Sequence, residues 1–158
     1  MKREEIQFHI ADNNEEQENL FLSFRIEKEI YAIDIKLVSE IIGITKITPV
    51  PCVPKYIKGV INLRGHVIPV VDIRLRFGME ARPYDETTCI IVIIHKDLLI
   101  GFIVDNVEEV VEITEDNIDL PGKFKESKNH FVEGLGKIDE KVKIILSIEK
   151  LLERDDLS

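Results

Sequence analysis

The sequence predicts an all-β protein made of two packed, five-stranded β-barrels, followed by a short C-terminal helix. Three observations lead to this prediction. The apolar segments are short, β-branched and mostly alternating, they recur at roughly the 8–12-residue spacing of barrel and sandwich strands, and the second half of the chain repeats the order of the first. A five-stranded sheet this small leaves exposed edges unless it closes on itself, which favours barrels.

Ten segments have the pattern of strands. In residues 20–26, Leu22, Phe24 and Ile26 share one face, whereas Ser23 and Arg25 occupy the other, as in a half-buried strand. Residues 89–94 are apolar without interruption, as expected for a strand that is buried on both faces. The predicted strands are 20–26, 30–33, 38–45, 57–63, 67–73, 87–94, 98–104, 107–113, 131–135 and 142–148.

Helix signals are scarce in this chain. Asp34 is a candidate N-cap for a single turn before the third strand. Ser147 is the N-cap of the one longer helix, predicted over residues 147–153. That helix would be amphipathic, because three of its apolar side chains share one face: Ile148, Leu151 and Leu152.

Two segments fall outside the strand rhythm. Residues 76–86 are polar and contain Gly78 and Pro83, so we interpret them as a connection between two halves. Near the N-terminus, residues 5–11 alternate like an extra strand at a barrel edge. Residues 12–19 have almost no apolar content, and we expect the acidic N-terminal segment to be partly mobile.

The two halves of the chain match in four places. Residues 31–34, 38–45, 57–60 and 70–73 match residues 102–105, 107–114, 132–135 and 145–148, in the same order and with offsets of 69 to 75 residues. β-rich sequences resemble one another at this level, but the constant order favours a duplication. The expected units are a polar acidic segment (1–19), a first barrel (20–80), and a second barrel with the C-terminal helix (81–158).

Charge and hydropathy exclude several classes of function. The 158-residue chain carries a formal net charge of −9, which disfavours binding to nucleic-acid phosphates or to anionic membranes. The longest apolar run, residues 89–94, is far shorter than the roughly 20 residues of a membrane-spanning helix. The N-terminus has no apolar segment typical of a signal peptide. We therefore expect a cytoplasmic protein with no nucleic-acid partner and no membrane insertion.

No residue pattern indicates catalysis or a metal site. A nucleophile elbow and a glycine-rich phosphate loop are both missing from the sequence. The candidate metal ligands are isolated from one another, so neither a metal nor another cofactor is expected; they are His9, His66, His95, His130, Cys52 and Cys89. A double barrel without such chemistry is typical of a binding or scaffolding protein.

The most specific motif lies in residues 56–74, which read Y-I-K-G-V-I-N-L-R-G-H-V-I-P-V-V-D-I-R. This stretch resembles the signature of CheW, the chemotaxis coupling protein family. Residues 31–41, 101–107 and 148–152 resemble further parts of the family, so the resemblance covers residues 20–153. It implies two SH3-like barrels packed about a hydrophobic junction, in an adaptor with no catalytic activity.

The resemblance also implies partners. CheW proteins join the cytoplasmic tips of transmembrane chemoreceptors to the histidine kinase CheA, whose regulatory domain carries a related double barrel. The chain would then be recruited to receptor arrays at the membrane, and we expect it to be monomeric when free. An adaptor of a non-flagellar pathway, controlling surface motility or gene expression, remains an alternative because its surfaces would be the same. An enzyme with an acidic groove and a small-barrel nucleic-acid binder have little support from the residues.

By this resemblance, an apolar groove near the barrel junction binds the helical hairpin of the receptor tip. Full burial of one aliphatic side chain in such a groove is worth about 1.5–3 kcal/mol. Ordinary core packing is the alternative for each aliphatic residue, and a strand bulge is the alternative for the glycine. The expected receptor-binding residues are Leu22, Ile35, Val38, Ile41, Gly59, Val107 and Val110.

The resemblance places kinase binding on exposed loops of the first barrel. Residues 47–51 fit this role, because two prolines stiffen an apolar loop and lower the cost of ordering it on binding. The expected kinase-binding residues are Ile47, Pro49, Val50 and Pro51.

The family pattern further pairs Arg64 with Glu40 and so braces a turn against the neighbouring strand. Asp72 is the rival acid for this pairing. A solvated turn residue is the alternative interpretation of Arg64.

Overall fold

The structure is a computed structural model, and it describes residues 18–120 and 130–153. The predicted strand over residues 5–11 and nearly all of the predicted acidic segment 1–19 lie outside the described residues. In the described part, two 3₁₀ turns, Ile35–Leu37 and Glu115–Asn117, accompany the strands and helices. These are β1 (Leu20–Ile26), β2 (Glu29–Asp34), β3 (Val38–Gly43), β4 (Ile57–Leu63), β5 (His66–Asp72), α1 (Ile73–Arg76), β6 (Cys89–His95), β7 (Leu98–Val104), β8 (Asn106–Glu112), β9 (Ile118–Asp119), β10 (Val132–Ile138), β11 (Lys141–Leu146) and α2 (Ile148–Leu152).

Both predicted helix caps are present. The Asp34 carboxylate accepts a hydrogen bond from the Lys36 amide at 2.9 Å and begins the first 3₁₀ turn. The Ser147 hydroxyl accepts one from the Lys150 amide at 3.2 Å and begins α2.

Helix α1 was not predicted from the sequence. The strand expected over residues 67–73 ends at Asp72, whose carboxylate accepts a hydrogen bond from the Leu75 amide at 3.2 Å and so caps α1. Asp72 is the residue that the internal repeat matches to Ser147. The repeat therefore contained the signal for α1, because each copy places a capping side chain where its last strand ends.

The strands form two sheets of the predicted all-β class. Within the described residues, a five-stranded sheet has the order β3-β6-β7-β5-β4, and a six-stranded sheet has the order β8-β1-β2-β11-β10-β9. Neighbouring strands are antiparallel except β5 with β7 and β11 with β2. The two-residue β9 is the one strand beyond the five predicted for each barrel. Its shortness, with a single pairing to β10, explains why no sequence pattern indicated it.

The sheets are not the consecutive units 20–80 and 81–158 that the sequence predicts. The first hairpin of each repeat, β1–β2 or β6–β7, lies in the sheet formed by the later strands of the other repeat. With this exchange, the orders β3-β6-β7-β5-β4 and β8-β1-β2-β11-β10 are equivalent position by position. Local patterns define strands, but the sheet that each strand joins depends on where the chain crosses over, which happens after β2 and after β7.

The largest core cluster lies between the two sheets. β1 and β2 of the six-stranded sheet contribute Leu22, Phe24 and Ile33, which pack in one cluster with Ile91 and Phe102 of the five-stranded sheet. A second cluster fills the five-stranded sheet, and a smaller one fills the six-stranded sheet. The hydrophobic junction that the family resemblance implies is thus the main core of the molecule.

The five-stranded sheet closes at the seam between its outer strands, β3 and β4. The segment that follows β3 returns to β4, where Thr48 and Val60 exchange two backbone hydrogen bonds of 2.9 Å. This bridge holds the loop of residues 47–51 against the sheet.

Candidate protein-binding surfaces

The strand β8 presents the first candidate surface. Val107 and Val110 lie opposite Phe24 and Leu22 of β1, and both valines are partly exposed while packing against the core between the sheets. A β-bulge between these two pairs allows both valines to share the same side of the strand. Aliphatic side chains that are half-buried in this way can take up further apolar area from a partner.

The structure corrects the expected lining of the receptor groove. Leu22 is fully buried, and the three other aliphatic residues from the first part of the chain are nearly so. All four belong to the core cluster between the two sheets, so almost none of their surface is available to a partner. Core packing, the alternative interpretation, therefore holds for Leu22, Ile35, Val38 and Ile41. Their aliphatic side chains are suited to burial, but the sequence could not show whether the other sheet or a partner covers them.

Gly59 lies beside the predicted kinase-binding loop, away from its expected place among the receptor-binding residues. Its φ is +145°, and a β-carbon at this position would overlap the carbonyl oxygen of Thr48 and approach Pro49. The register of β4 against β5 also shifts at this point, between Ile57 and Gly59. The strand bulge considered for Gly59 is therefore present, and the glycine permits the 47–51 loop to approach β4.

The loop of residues 47–51 is the second candidate surface. Ile47 is half-buried against the core of the five-stranded sheet, whereas Pro49, Val50 and Pro51 are exposed. Val53 is exposed to a similar degree as Val50, and it extends the apolar surface beyond the four residues predicted from the sequence. The sequence could have indicated Val53, because a valine–proline pair occurs twice within residues 50–54.

The predicted pairing of Arg64 with Glu40 is present. Arg64 lies in the turn between β4 and β5 and donates from both terminal nitrogens to the Glu40 carboxylate of β3, with a distance of 3.3 Å for the Nη1–Oε1 pair. The rival acid, Asp72, instead caps α1 and accepts a hydrogen bond of 2.6 Å from the Tyr84 hydroxyl. The ion pair thus spans the seam of the five-stranded sheet.

A cluster of charged side chains at the junction was not predicted from the sequence. Asp105, between β7 and β8, accepts hydrogen bonds from Arg74 and from Arg82. Burial alone would raise the pKa of Asp105, but hydrogen bonds from Arg74 and from the Glu27 amide outweigh burial and lower it below its ordinary value. Arginine–aspartate pairs distant in sequence leave no periodic signal, although the repeat did match Asp105 with Asp34.

Arg76 forms a second link across the molecule. Its guanidinium lies 4.5 Å from the ring centroid of Tyr56 and 4.6 Å from that of Phe131. The same group donates hydrogen bonds of 2.8 Å to the carbonyl oxygens of Leu151 and Glu153 at the end of α2. This buried cation joins α1 to α2 through cation–π contacts and through the free carbonyls of a helix terminus.

An open cleft lies along the six-stranded sheet. Its floor is apolar, with Phe21 and Ile145, and its rim is acidic, with Asp34 and Glu133. Burial, and secondarily the nearby Asp34 charge, raise the pKa of Glu133. None of the site residues predicted from the sequence lines this cleft.

In residues 18–120 and 130–153, no group of three or more histidine, cysteine, aspartate or glutamate side chains is arranged to hold a metal ion. No helix in this part of the chain has the length and apolar character needed to cross a membrane.

Comparison with known proteins places the chain in a family. The sequence model of the CheW-like domain matches residues 20–156. The chemotaxis protein CheW of Thermotoga maritima is 41% identical over 138 residues, which cover 84% of this chain and 86% of that protein. The chemotaxis protein CheW of Klebsiella aerogenes is 36% identical over 139 residues, covering 87% of this chain and 84% of the relative.

A solved structure shares the fold. The crystal structure of the scaffolding protein TtCheW from Thermoanaerobacter tengcongensis matches with a TM-score of 0.80 and 36% sequence identity, covering 87% of this chain and 94% of that one. The sequence match and the structural match both extend over most of the chain. The chain therefore belongs to the CheW family of chemotaxis scaffolding proteins.

Proposed function

We propose that the chain is the adaptor that couples the cytoplasmic tips of chemoreceptors to the histidine kinase CheA. Its role is that of a non-catalytic scaffold in the cytoplasm, recruited to receptor arrays at the membrane. The curated relatives named above are chemotaxis proteins, which favours this pathway over a non-flagellar one.

The observation that carries the proposal is the separation of two apolar surfaces on one rigid core. Val107 and Val110 lie on β8 of the six-stranded sheet, whereas Val50 lies in the loop that is bonded to β4 of the five-stranded sheet. An adaptor must hold two partners at once, so its binding surfaces must not overlap. A helical hairpin, the expected form of a receptor tip, fits a half-buried aliphatic strand face. The proline-rich loop fits a second protein domain.

The test measures binding of the full chain to two partners by calorimetry: a receptor-tip hairpin peptide and the regulatory domain of the kinase. Val110→Asp places a charge in the β8 surface and should weaken binding of the hairpin by at least about tenfold, or about 1.4 kcal/mol. Val50→Asp should weaken binding of the kinase domain to a similar degree. Each variant should leave the other affinity unchanged.

Val142→Asp is the matched control. Val142 is an exposed valine on β11, outside both surfaces, so this change should alter neither affinity. Absence of any complex at about 50 μM, or equal loss of both affinities in each variant, would contradict the proposal.

A further inference from the structure

Asp105 lies at the point where the chain passes from one sheet to the other. β7 ends at Val104 in the five-stranded sheet, and β8 begins at Asn106 in the six-stranded sheet, so Asp105 alone makes the crossing between the sheets. Val107, a candidate binding residue, lies only two positions further along β8. The backbone at Asp105 therefore sets the direction in which the chain leaves the five-stranded sheet before β8 pairs with β1.

The side chain of Asp105 is held from the five-stranded sheet by two arginines. Arg74 of α1 donates from Nε to Oδ1 at 2.8 Å and from Nη2 to Oδ2 at 2.5 Å, which is the two-pronged geometry of a strong arginine–carboxylate pair. Arg82, in the segment before β6, donates to Oδ2 at 3.1 Å. In the Arg74–Asp105 pair the side chains are only 8% and 12% exposed, so solvent screens this pair little.

The same residue is also held from the six-stranded sheet. The Oδ2 atom of Asp105 accepts a hydrogen bond of 2.8 Å from the amide of Glu27, in the turn between β1 and β2. The Asp105 amide donates to the carbonyl oxygen of Arg25 at 3.2 Å. Arg74 reaches the Glu27 carboxylate as well, at 3.3 Å. The Asp105 carboxylate thus binds both α1, through Arg74, and the β1–β2 turn, through the Glu27 amide.

The other crossing lacks this arrangement. Asp34, matched to Asp105 by the internal repeat, is the last residue of β2, where the chain passes from the six-stranded to the five-stranded sheet. Its carboxylate accepts a hydrogen bond from the Lys36 amide, and its ion-pair partner in the described residues is the Lys36 ammonium at 3.8 Å. The residue matched to Arg74 is Glu149, which cannot supply a cation. The two-arginine arrangement is therefore specific to the crossing that leads into β8.

We propose that Asp105 is a positioning residue for the receptor-binding surface, because its contacts to Arg74, Arg82 and the β1–β2 turn fix the direction in which β8 leaves the five-stranded sheet. This inference rests on the proposed function for its consequence in binding. The geometric part, that Asp105 fixes β8, does not depend on any partner.

The first experiment therefore measures geometry without a partner. Spin labels are attached to cysteines introduced at Val67 on β5 and at Glu112 at the end of β8, both of which are exposed. The exposed Cys52 is first changed to Asn, which tolerates its φ of +62°, while Cys89 is buried and protected from labelling. Pulsed electron paramagnetic resonance then gives the distribution of distances between the two labels.

Asp105→Asn keeps the shape of the side chain but replaces the carboxylate with a neutral amide. The amide can no longer accept both hydrogen bonds from Arg74. We expect a broadened or displaced distance distribution in this variant and an unchanged one in Asp34→Asn, which makes the same chemical change at the matched crossing. An unchanged distribution in Asp105→Asn overturns the proposal. A change of equal size in Asp34→Asn overturns it as well, because the effect would then not be specific to the two-arginine arrangement.

The second experiment measures binding. Asp105→Asn should weaken binding of the receptor-tip hairpin by about tenfold and leave binding of the kinase domain within about twofold. A merely destabilised fold would weaken both. If Asp105→Asn loses hairpin binding while its distance distribution is unchanged, the result contradicts the proposal that Asp105 positions β8. If the unmodified protein binds no hairpin but the distribution broadens in Asp105→Asn, the proposed function fails and the positioning of β8 by Asp105 stands.

A milder variant covers the case in which Asp105→Asn does not fold. Arg82→Gln removes a partly exposed partner of Asp105 and leaves the buried Arg74 pair in place. It should broaden the same distance distribution to a smaller extent. A folded Arg82→Gln protein with an unchanged distribution overturns the proposal in that case.

Discussion

Arg64 and Glu40 form an ion pair across the seam where the first and last strands of the five-stranded sheet meet. The pair bridges a gap that is closed elsewhere by the backbone bonds of Thr48 and Val60. The Arg64 side chain is 66% exposed and that of Glu40 is 27% exposed, so water and salt screen their attraction. The pair orients the turn between β4 and β5 more than it stabilises the fold.

The first prediction concerns this pair. Arg64→Ala should lower the free energy of unfolding by no more than about 1 kcal/mol, as is usual for exposed ion pairs. Arg64→Gly should cost less than Arg64→Ala, since Arg64 has a φ of +51° that glycine adopts without strain. Urea unfolding of the variants measures both effects. A loss above about 3 kcal/mol would show that the pair behaves as a buried one.

The second prediction concerns Gly59. Gly59→Ala should destabilise the fold by about 1–3 kcal/mol, because φ is +145° and the new methyl group meets backbone atoms of the 47–51 loop. It should also weaken binding of the kinase domain more than binding of the receptor-tip hairpin. Gly65→Ala is the matched control, since Gly65 also has a positive φ but has open space around it. Equal effects of the two changes on kinase binding would contradict a role for Gly59 in seating the loop.

The third prediction separates core from surface. Leu22→Ala should lower the free energy of unfolding by about 2–5 kcal/mol, because Leu22 is fully buried. Val110→Ala should cost roughly 1 kcal/mol or less, since its side chain is already partly exposed. Thermal unfolding and hairpin binding of both variants are compared at a temperature where both are folded. A larger loss of hairpin affinity in Leu22→Ala than in Val110→Ala would restore Leu22 to the binding surface.

The sequence predicted local structure better than it predicted surfaces. Alternation in residues 20–26 identified β1, and the cap at Ser147 located α2, because both signals lie within a few neighbouring residues. The same alternation could not distinguish Leu22, which is buried between the sheets, from Val110, which is partly exposed. That difference depends on which sheet covers which face, and thus on the exchange of hairpins between repeats. The Asp105–Arg74 pair escaped prediction for the same reason, since it forms only after the chain has crossed.

The fourth prediction concerns pH. In the folded protein the pKa of Asp105 lies below its ordinary value, because the hydrogen bonds from Arg74 and from the Glu27 amide outweigh the effect of burial. The charged form therefore binds protons less readily in the folded state than in the unfolded chain. The resulting stabilisation is complete above the unfolded pKa of about 4 and is lost as the pH falls through the folded value.

Asp105→Asn should therefore lower the free energy of unfolding at pH 7, and its deficit relative to the unmodified protein should shrink as the pH falls below about 4. Urea unfolding between about pH 2 and pH 7 gives this difference directly. Asp34→Asn is the matched control, since it makes the same chemical change at a carboxylate that lacks the arginine fork. A deficit of constant size across this range would contradict the lowered pKa of Asp105, because a lowered pKa requires the contribution of the carboxylate to disappear once it is protonated.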